Sequence, residues 1–275
     1  MGTLYLVPTP IGNLEDITLR ALRVLREVSL IAAEDTRRAA FLLARYDLHT
    51  PLTSYFEHNK LTKLDRLLAA LEQGDVALIS EAGTPGLSDP GYELIRAAIA
   101  RGHTIVPLPG ATAAITALVA SGLPADAFVF AGFLSRKAGE RRRSLEALKA
   151  DRRTLIFYEA PHRLLETLRD LLAVFGNRSI CVARELTKVH EELWRGSIAD
   201  AVEHFCGEVL GEVVLVVAGA PEDQHWDEAR VRAALRDSLA AGNTASAAAK
   251  EVAALSGWNK RAAYALIEHE SNLKR

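Results

Sequence analysis

Short β-branched and leucine-rich runs alternate along the chain with stretches in which apolar residues recur three or four positions apart. In the first part, Thr3–Val7, Leu30–Ala33, Val76–Ile79 and Ile105–Pro107 predict strands. Between them Thr18–Val28, Thr36–Tyr46, Lys60–Glu72, Gly91–Arg101 and Gly110–Ala120 predict helices. Such βα alternation calls for a mainly parallel sheet covered by helices. After Gly122-Leu123-Pro124 the pattern restarts, with strands expected at Phe128–Phe133, Thr154–Tyr158, Ser179–Ala183 and Glu212–Val217. Helices are expected at Glu140–Lys149, His162–Val174 and Ile198–Phe205. The chain therefore reads as one α/β domain over residues 1–123 and a second over 124–220.

Ala220-Pro221-Glu222-Asp223-Gln224 breaks the pattern and reads as a linker. Beyond it, within 227–275, Asp227–Ala241, Thr244–Leu255 and Asn259–Glu270 predict three short helices, with Asn259 as an N-cap after the Ser256-Gly257-Trp258 turn. The layout resembles a helix-turn-helix, but a plain three-helix bundle is the preferred reading, because no basic face is legible.

Length and charge narrow the picture. At 275 residues and 49% apolar content the chain can bury sizeable cores. No signal peptide and no apolar run of about eighteen residues is legible, so a cytoplasmic, membrane-free protein is expected. The two cysteines, Cys181 and Cys206, show no metal or disulfide spacing; both read as buried thiols, and no metal site is expected. A net charge of −2 means that any nucleic-acid contact must come from a local patch. The candidate is Arg136–Arg153, where Arg136, Lys137, Arg141, Arg142, Arg143, Lys149, Arg152 and Arg153 face Glu140, Glu146 and Asp151, a local net of +5. Such a cluster suits RNA phosphates, with Arg136, Arg141, Arg142 and Arg143 the main candidates; it also reads as a solvated helix face.

Neither a G-x-G-x-x-G nor a P-loop fingerprint is present. Three Gly/Pro loops instead follow three strands: Val7-Pro8-Thr9-Pro10-Ile11-Gly12-Asn13, Ser80-Glu81-Ala82-Gly83-Thr84-Pro85-Gly86, and Leu108-Pro109-Gly110-Ala111-Thr112. The second runs into Ser88-Asp89-Pro90, where Asp89 reads as an N-cap and Pro90 as the first helical residue. Loops at the carboxyl ends of parallel strands are where open α/β sheets bind ligands.

These loops closely resemble one subgroup of the tetrapyrrole-methylase superfamily, the ribosomal RNA small subunit methyltransferase I family. So do Ala33-Glu34-Asp35-Thr36-Arg37, Ser54-Tyr55-Phe56-Glu57-His58-Asn59, Tyr158-Glu159-Ala160-Pro161-His162-Arg163, Arg184-Glu185-Leu186-Thr187-Lys188 and Gly211–Val217. The resemblance runs from Leu4 into the helical tail. It implies two α/β domains gripping S-adenosylmethionine in the cleft between them, a homodimer, and 2′-O-methylation of a cytidine near the decoding centre of small-subunit ribosomal RNA, free or in the assembled subunit. By resemblance Pro10, Glu81, Gly83, Pro85, Ser88, Asp89, Ala111, Thr112 and, from the second domain, Gly219 surround the cofactor. Two departures matter. Tetrapyrrole-modifying relatives carry G-x-G-P-G-D where this chain has Pro8–Asn13, which argues against a tetrapyrrole substrate, and Glu81 stands where aspartate is expected.

A general base would be drawn from Glu34, Asp35, Glu159, Glu185 and Lys188, with Asp35, Glu159 and Lys188 the leading candidates; each also reads as an ion-pair member. Arg37 and His58 are candidates for RNA contact, though Arg37 equally suits a pair with Glu34. A small-molecule methylase of the same superfamily is the rival reading. A non-catalytic RNA-binding assembly factor is a third, and it would not need the three loops.

Overall fold

The computed structural model describes residues 2–56, 60–221 and 226–273. It resolves into two compact units, Met1–Gly219 and Ala220–Arg275. The first holds two five-stranded sheets.

The first sheet contains β1 (Thr3–Leu6), β2 (Leu30–Ala33), β3 (Leu52–Ser54), β4 (Val76–Ile79) and β5 (Thr104–Pro107), in the order β3-β2-β4-β1-β5. Every pairing is parallel, with Leu4 lying between Val76 and Ile105. The central strand β4 is buried along its whole length, as a strand covered on both faces must be. Helices α1 (Leu19–Glu27) and α2 (Thr36–Arg45) bury Val24, Leu25, Ala39 and Leu43 on one face of this sheet. On the other, α3 (Lys60–Gln73) and α4 (Tyr92–Ala100) bury Leu67, Leu68, Leu71, Leu94 and Ala98. The neighbours β1 and β4 thus send their chains to opposite faces, which opens a crevice at their carboxyl ends, the usual ligand position in such sheets.

The second sheet contains β6 (Phe128–Phe133), β7 (Thr154–Glu159), β8 (Ser179–Arg184), β9 (Glu192–Ser197) and β10 (Val213–Val217), in the order β6-β7-β10-β8-β9. Only β6 and β7 run parallel; β10 is antiparallel to both β7 and β8. Helices α6 (Ala138–Leu148), α7 (Leu164–Phe175) and α8 (Ile198–His204) cover one face. The other face is covered by α5 (Ala113–Ser121), whose Ala114, Ala117 and Leu118 pack on Ile156, Cys181 and Val214. Although α5 follows the last strand of the first sheet, it belongs by packing to the second, and so ties the two sheets into one unit.

Two strands, β3 and β9, were not expected from the sequence. Both are edge strands, and β9 carries Glu192, Arg195 and Gly196, so no apolar run marks it. Asp89 and Pro90 do not begin a helix either: α4 starts at Tyr92 with Gly91 as its cap, which frees the Asp89 carboxylate. Cys181 is buried, but Cys206 is exposed, contrary to the expectation of two buried thiols.

The second unit consists of α9 (Glu228–Ala240), α10 (Ala245–Ser256) and α11 (Lys260–Leu273) around Val231, Leu235, Ala248 and Val252. Asn259 caps the last helix by accepting the Ala262 N–H at 2.7 Å. Gly257, with φ at 70°, makes the left-handed turn before it. Among the described residues no helix is long and apolar enough to cross a membrane.

Candidate active site

The three Gly/Pro loops are stitched together by their own backbone. Thr9 and Gly83 exchange two N–H···O bonds of 2.9 and 3.0 Å across the crevice between β1 and β4. The Ser80 hydroxyl donates to the Gly83 carbonyl at 2.9 Å, and the Thr84 hydroxyl to the Ala111 carbonyl at 3.1 Å. Gly83 has φ at +85°, a conformation that a side chain would strain.

Beside this knot lies a cleft of about 340 Å³, within the range of small-ligand sites. Ile11, Glu34, Glu81, Ser88, Asp89 and Thr112 line it from the loops of the first sheet. Phe133, Tyr158, Glu159, Glu212, Val213 and Val214 line it from the second. The two sides approach closely at Gly132, where an added Cβ would sit 3.2 Å from the Ser88 hydroxyl oxygen.

The first wall is acidic and poorly compensated. Burial pushes the Asp89 carboxyl up to about 7, and the charges of Glu34 and Glu81 add to the effect. Glu34 is raised for the same reasons, burial first and then Glu81. Arg38 pairs with Glu81 at the edge of the cleft. Among the described residues no group of these side chains is arranged to hold a metal ion. A cationic organic ligand is what such a wall suits, because desolvated carboxylates gain most from a positive charge they can surround.

The second wall is different. Glu159 is 2% exposed and accepts hydrogen bonds from the Ala160 N–H at 2.7 Å, the Thr167 hydroxyl at 2.5 Å and Arg163 at 2.9 Å. Its oxygens are committed to the fold, which disfavours it as a base. Tyr158 accepts the Ala114 N–H at 3.2 Å and meets Phe133 edge to face at 5.4 Å.

The structure brings together Glu81, Ser88, Asp89 and Thr112 along the cleft, with Gly83 and Ala111 in the adjoining knot, while Pro85 is buried in the same loop and does not line the cleft. Pro10 lines a neighbouring cavity rather than this one. Gly219 is elsewhere: it packs against the backbone of Arg152, before the start of β7. The reason is strand direction. Because β10 is antiparallel to β7, its beginning at Glu212–Val214 faces the cleft beside Glu159, and its end points away.

The remaining base candidates are also tied up. Asp35 caps α2 and is held down at about 2 by the Arg37 side chain. Lys188 bonds Glu185 at 2.8 Å and Glu212 at 3.2 Å; burial lowers its proton affinity, but these two partners outweigh it and hold the ammonium charged. Of the expected RNA contacts, Arg141 must be withdrawn. It is 2% exposed, and its Nε bonds Asp170 at 2.6 Å beneath α7. Arg142 is exposed but shares the other Asp170 oxygen at 2.7 Å. Arg136, Arg143 and Arg152 are exposed and form no ion pair among the described residues, whereas His58 lies outside those residues. The residues that sequence reasoning missed are Ile11, Phe133 and Tyr158, which only the meeting of two sheets reveals.

Comparison with known proteins fits this architecture. Residues 3–202 match the family model of tetrapyrrole (corrin/porphyrin) methylases. A relative from Halalkalibacterium halodurans, named ribosomal RNA small subunit methyltransferase I, is 48% identical over 277 residues, covering 98% of this chain and 96% of that protein. Among solved structures, the uroporphyrin-III C-methyltransferase of Thermus thermophilus aligns with a TM-score of 0.58 at 26% identity, over 79% of this chain and 94% of that one. Another structure of a Thermus thermophilus enzyme of that name, in complex with S-adenyl homocysteine, gives 0.56 at 19% identity, over 78% and 97%. The two-sheet unit, its loop knot and these matches lead to one assignment: the chain belongs to the ribosomal RNA small subunit methyltransferase I family, within the tetrapyrrole methylases.

Proposed function

We propose that this protein transfers a methyl group from S-adenosylmethionine to the ribose 2′-hydroxyl of a cytidine near the decoding centre of small-subunit ribosomal RNA, working in the cytoplasm as a homodimer. The observation that carries the reading is the acidic wall of the cleft, where Glu34, Glu81 and Asp89 crowd together against the single partner Arg38, in a chain whose relatives are named for ribosomal RNA methylation. The Pro8–Asn13 loop, in place of G-x-G-P-G-D, favours RNA over a tetrapyrrole.

When bound, S-adenosylmethionine supplies a methyl activated by a sulfonium charge; the acceptor oxygen forms the new C–O bond as the C–S bond breaks, and the hydroxyl proton is lost. The work of the chain is to hold and orient. Asp89 and Glu34, ionised, draw the cationic ligand into the cleft, and Gly83 lets the loop backbone come close. The proton passes to a carboxylate of the acidic wall, and Asp89, with an affinity near neutral pH, is best matched to accept it. Alignment supplies much of the rate, because the methyl is already activated. Arg136, Arg143 and Arg152 are free to meet phosphates.

Incubation with small subunits, or with their RNA, and methyl-labelled S-adenosylmethionine tests this. Label is expected on one cytidine ribose, and none when that residue is 2′-deoxycytidine. Label on the base of the deoxy substrate, or on a tetrapyrrole instead of RNA, would overturn the assignment.

A further inference from the structure

A second cavity, of about 490 Å³, opens on the other side of Glu81, between the carboxyl ends of β1 and β4 and the outer face of α2. Thr9, Pro10, Leu14, Arg37, Arg38 and Phe41 line it. Glu81 lines both spaces, so the Arg38–Glu81 pair is the partition between this cavity and the cofactor cleft.

Three features define its chemistry. Phe41 is 68% exposed, so a phenyl ring stands at the cavity without a covering partner. Arg37 lies one helical turn before it, on the same face of α2. Asp35 engages the Nε and Nη2 of Arg37, and the guanidinium is otherwise open to solvent. An apolar ring beside exposed guanidinium groups matches an unstacked nucleotide, whose base takes a flat face and whose phosphates take arginine. The arrangement also sorts charge. Arg37 and Arg38 are paired with Asp35 and Glu81, which also line this cavity, but their exposed guanidinium groups keep donors open, so phosphates fit better here than against the acidic wall of the cleft, which leaves the sugar at the partition itself.

We propose that the second cavity seats the acceptor nucleotide of the RNA, with its base on Phe41, its phosphate on Arg37 and Arg38, and its ribose at the Arg38–Glu81 partition facing the cofactor. The proposal rests on the RNA-methylating reading above and names the seat of its substrate.

The test uses the full chain with RNA carrying pyrrolo-cytidine, a fluorescent cytidine analogue, at the target position. Wild-type protein is expected to quench the probe, and Phe41→Ala to lose the quench and raise KM for RNA about tenfold or more, the loss expected of one base–aromatic stack. Phe41→Trp should restore both. Affinity for S-adenosylmethionine should be the same in all three proteins, and thermal melting checks that each is folded. An unchanged quench and KM in Phe41→Ala overturns the seat. A quench that follows the probe at a neighbouring position, but not at the target, overturns the assignment to the acceptor nucleotide. Failure of the wild-type protein to methylate RNA at all refutes the functional reading, a result distinct from normal methylation by Phe41→Ala.

Discussion

The two walls of the cleft carry the same functional group and use it in opposite ways. On the second sheet each carboxylate has its cation: Glu159 holds Arg163, and Glu185 and Glu212 share Lys188. On the first, Glu34, Glu81 and Asp89 crowd together, and among the described residues only Glu81 has a cationic partner. A satisfied buried carboxylate stabilises its fold and is chemically quiet. One held up near neutral pH by burial and like charge stores unfavourable energy that a cationic ligand relieves. On the proposed function the difference separates a scaffold wall from a binding wall, and substitutions on each should behave accordingly.

The largest effect is expected at Glu159. Replacing it with leucine leaves Arg163 and the Thr167 hydroxyl without their partner and should cost about 3–5 kcal/mol in chemical denaturation. If the loss is under about 1 kcal/mol, the wall is not the structural one.

Asp89→Asn should act in the opposite sense. A carboxyl raised from its ordinary range to about 7 costs the folded chain stability progressively as pH rises from that range to about 7, and the penalty is complete above it. At pH 8 the variant should therefore be more stable by roughly 1–2 kcal/mol, after discounting for solvent screening. The gain should vanish below the ordinary carboxylate range, where both folded and unfolded aspartate are protonated. Affinity for S-adenosylmethionine should fall about tenfold, the value of one lost charge interaction in a partly exposed site. A variant that binds normally removes Asp89 from the binding wall.

Lys188→Met should do least. Its partners are partly exposed, so loss of the pair should cost no more than about 1 kcal/mol, and single-turnover methylation should persist. Abolished turnover in a folded variant would restore Lys188 as the base.

The same contrast explains what could be read from the chain alone. The parallel sheet was legible because βα alternation writes apolar runs and Gly/Pro loops in a fixed order, and its loops do line the cleft. Asp89 was legible as a residue of the loop that lines the cleft, but its supposed capping role was not real: an Asp-Pro pair ahead of a helical pattern looks like a cap, and Gly91 caps the helix instead. Its raised proton affinity comes first from burial and then from Glu34, which arrives from a different strand, so no local pattern announces it. Gly219 misled because a loop after a strand lies at the ligand end only when the strand is parallel to its neighbours, and β10 is not. The basic run around Arg141 misled in another way. Charge counting could not foresee that Asp170, on the following helix, turns Arg141 into a buried strut.

The most direct test of the central claim is calorimetric titration of S-adenosylmethionine and S-adenosylhomocysteine into the wild-type protein between pH 5.5 and 8.5. Affinity for the cationic sulfonium ligand should rise about tenfold per unit up to pH 7 and then level, with release of a proton on binding below that pH, because Asp89 must be ionised to face it. The neutral thioether should show a markedly weaker dependence. Identical pH profiles for the two ligands would contradict the assignment of the acidic wall to the charge on sulfur.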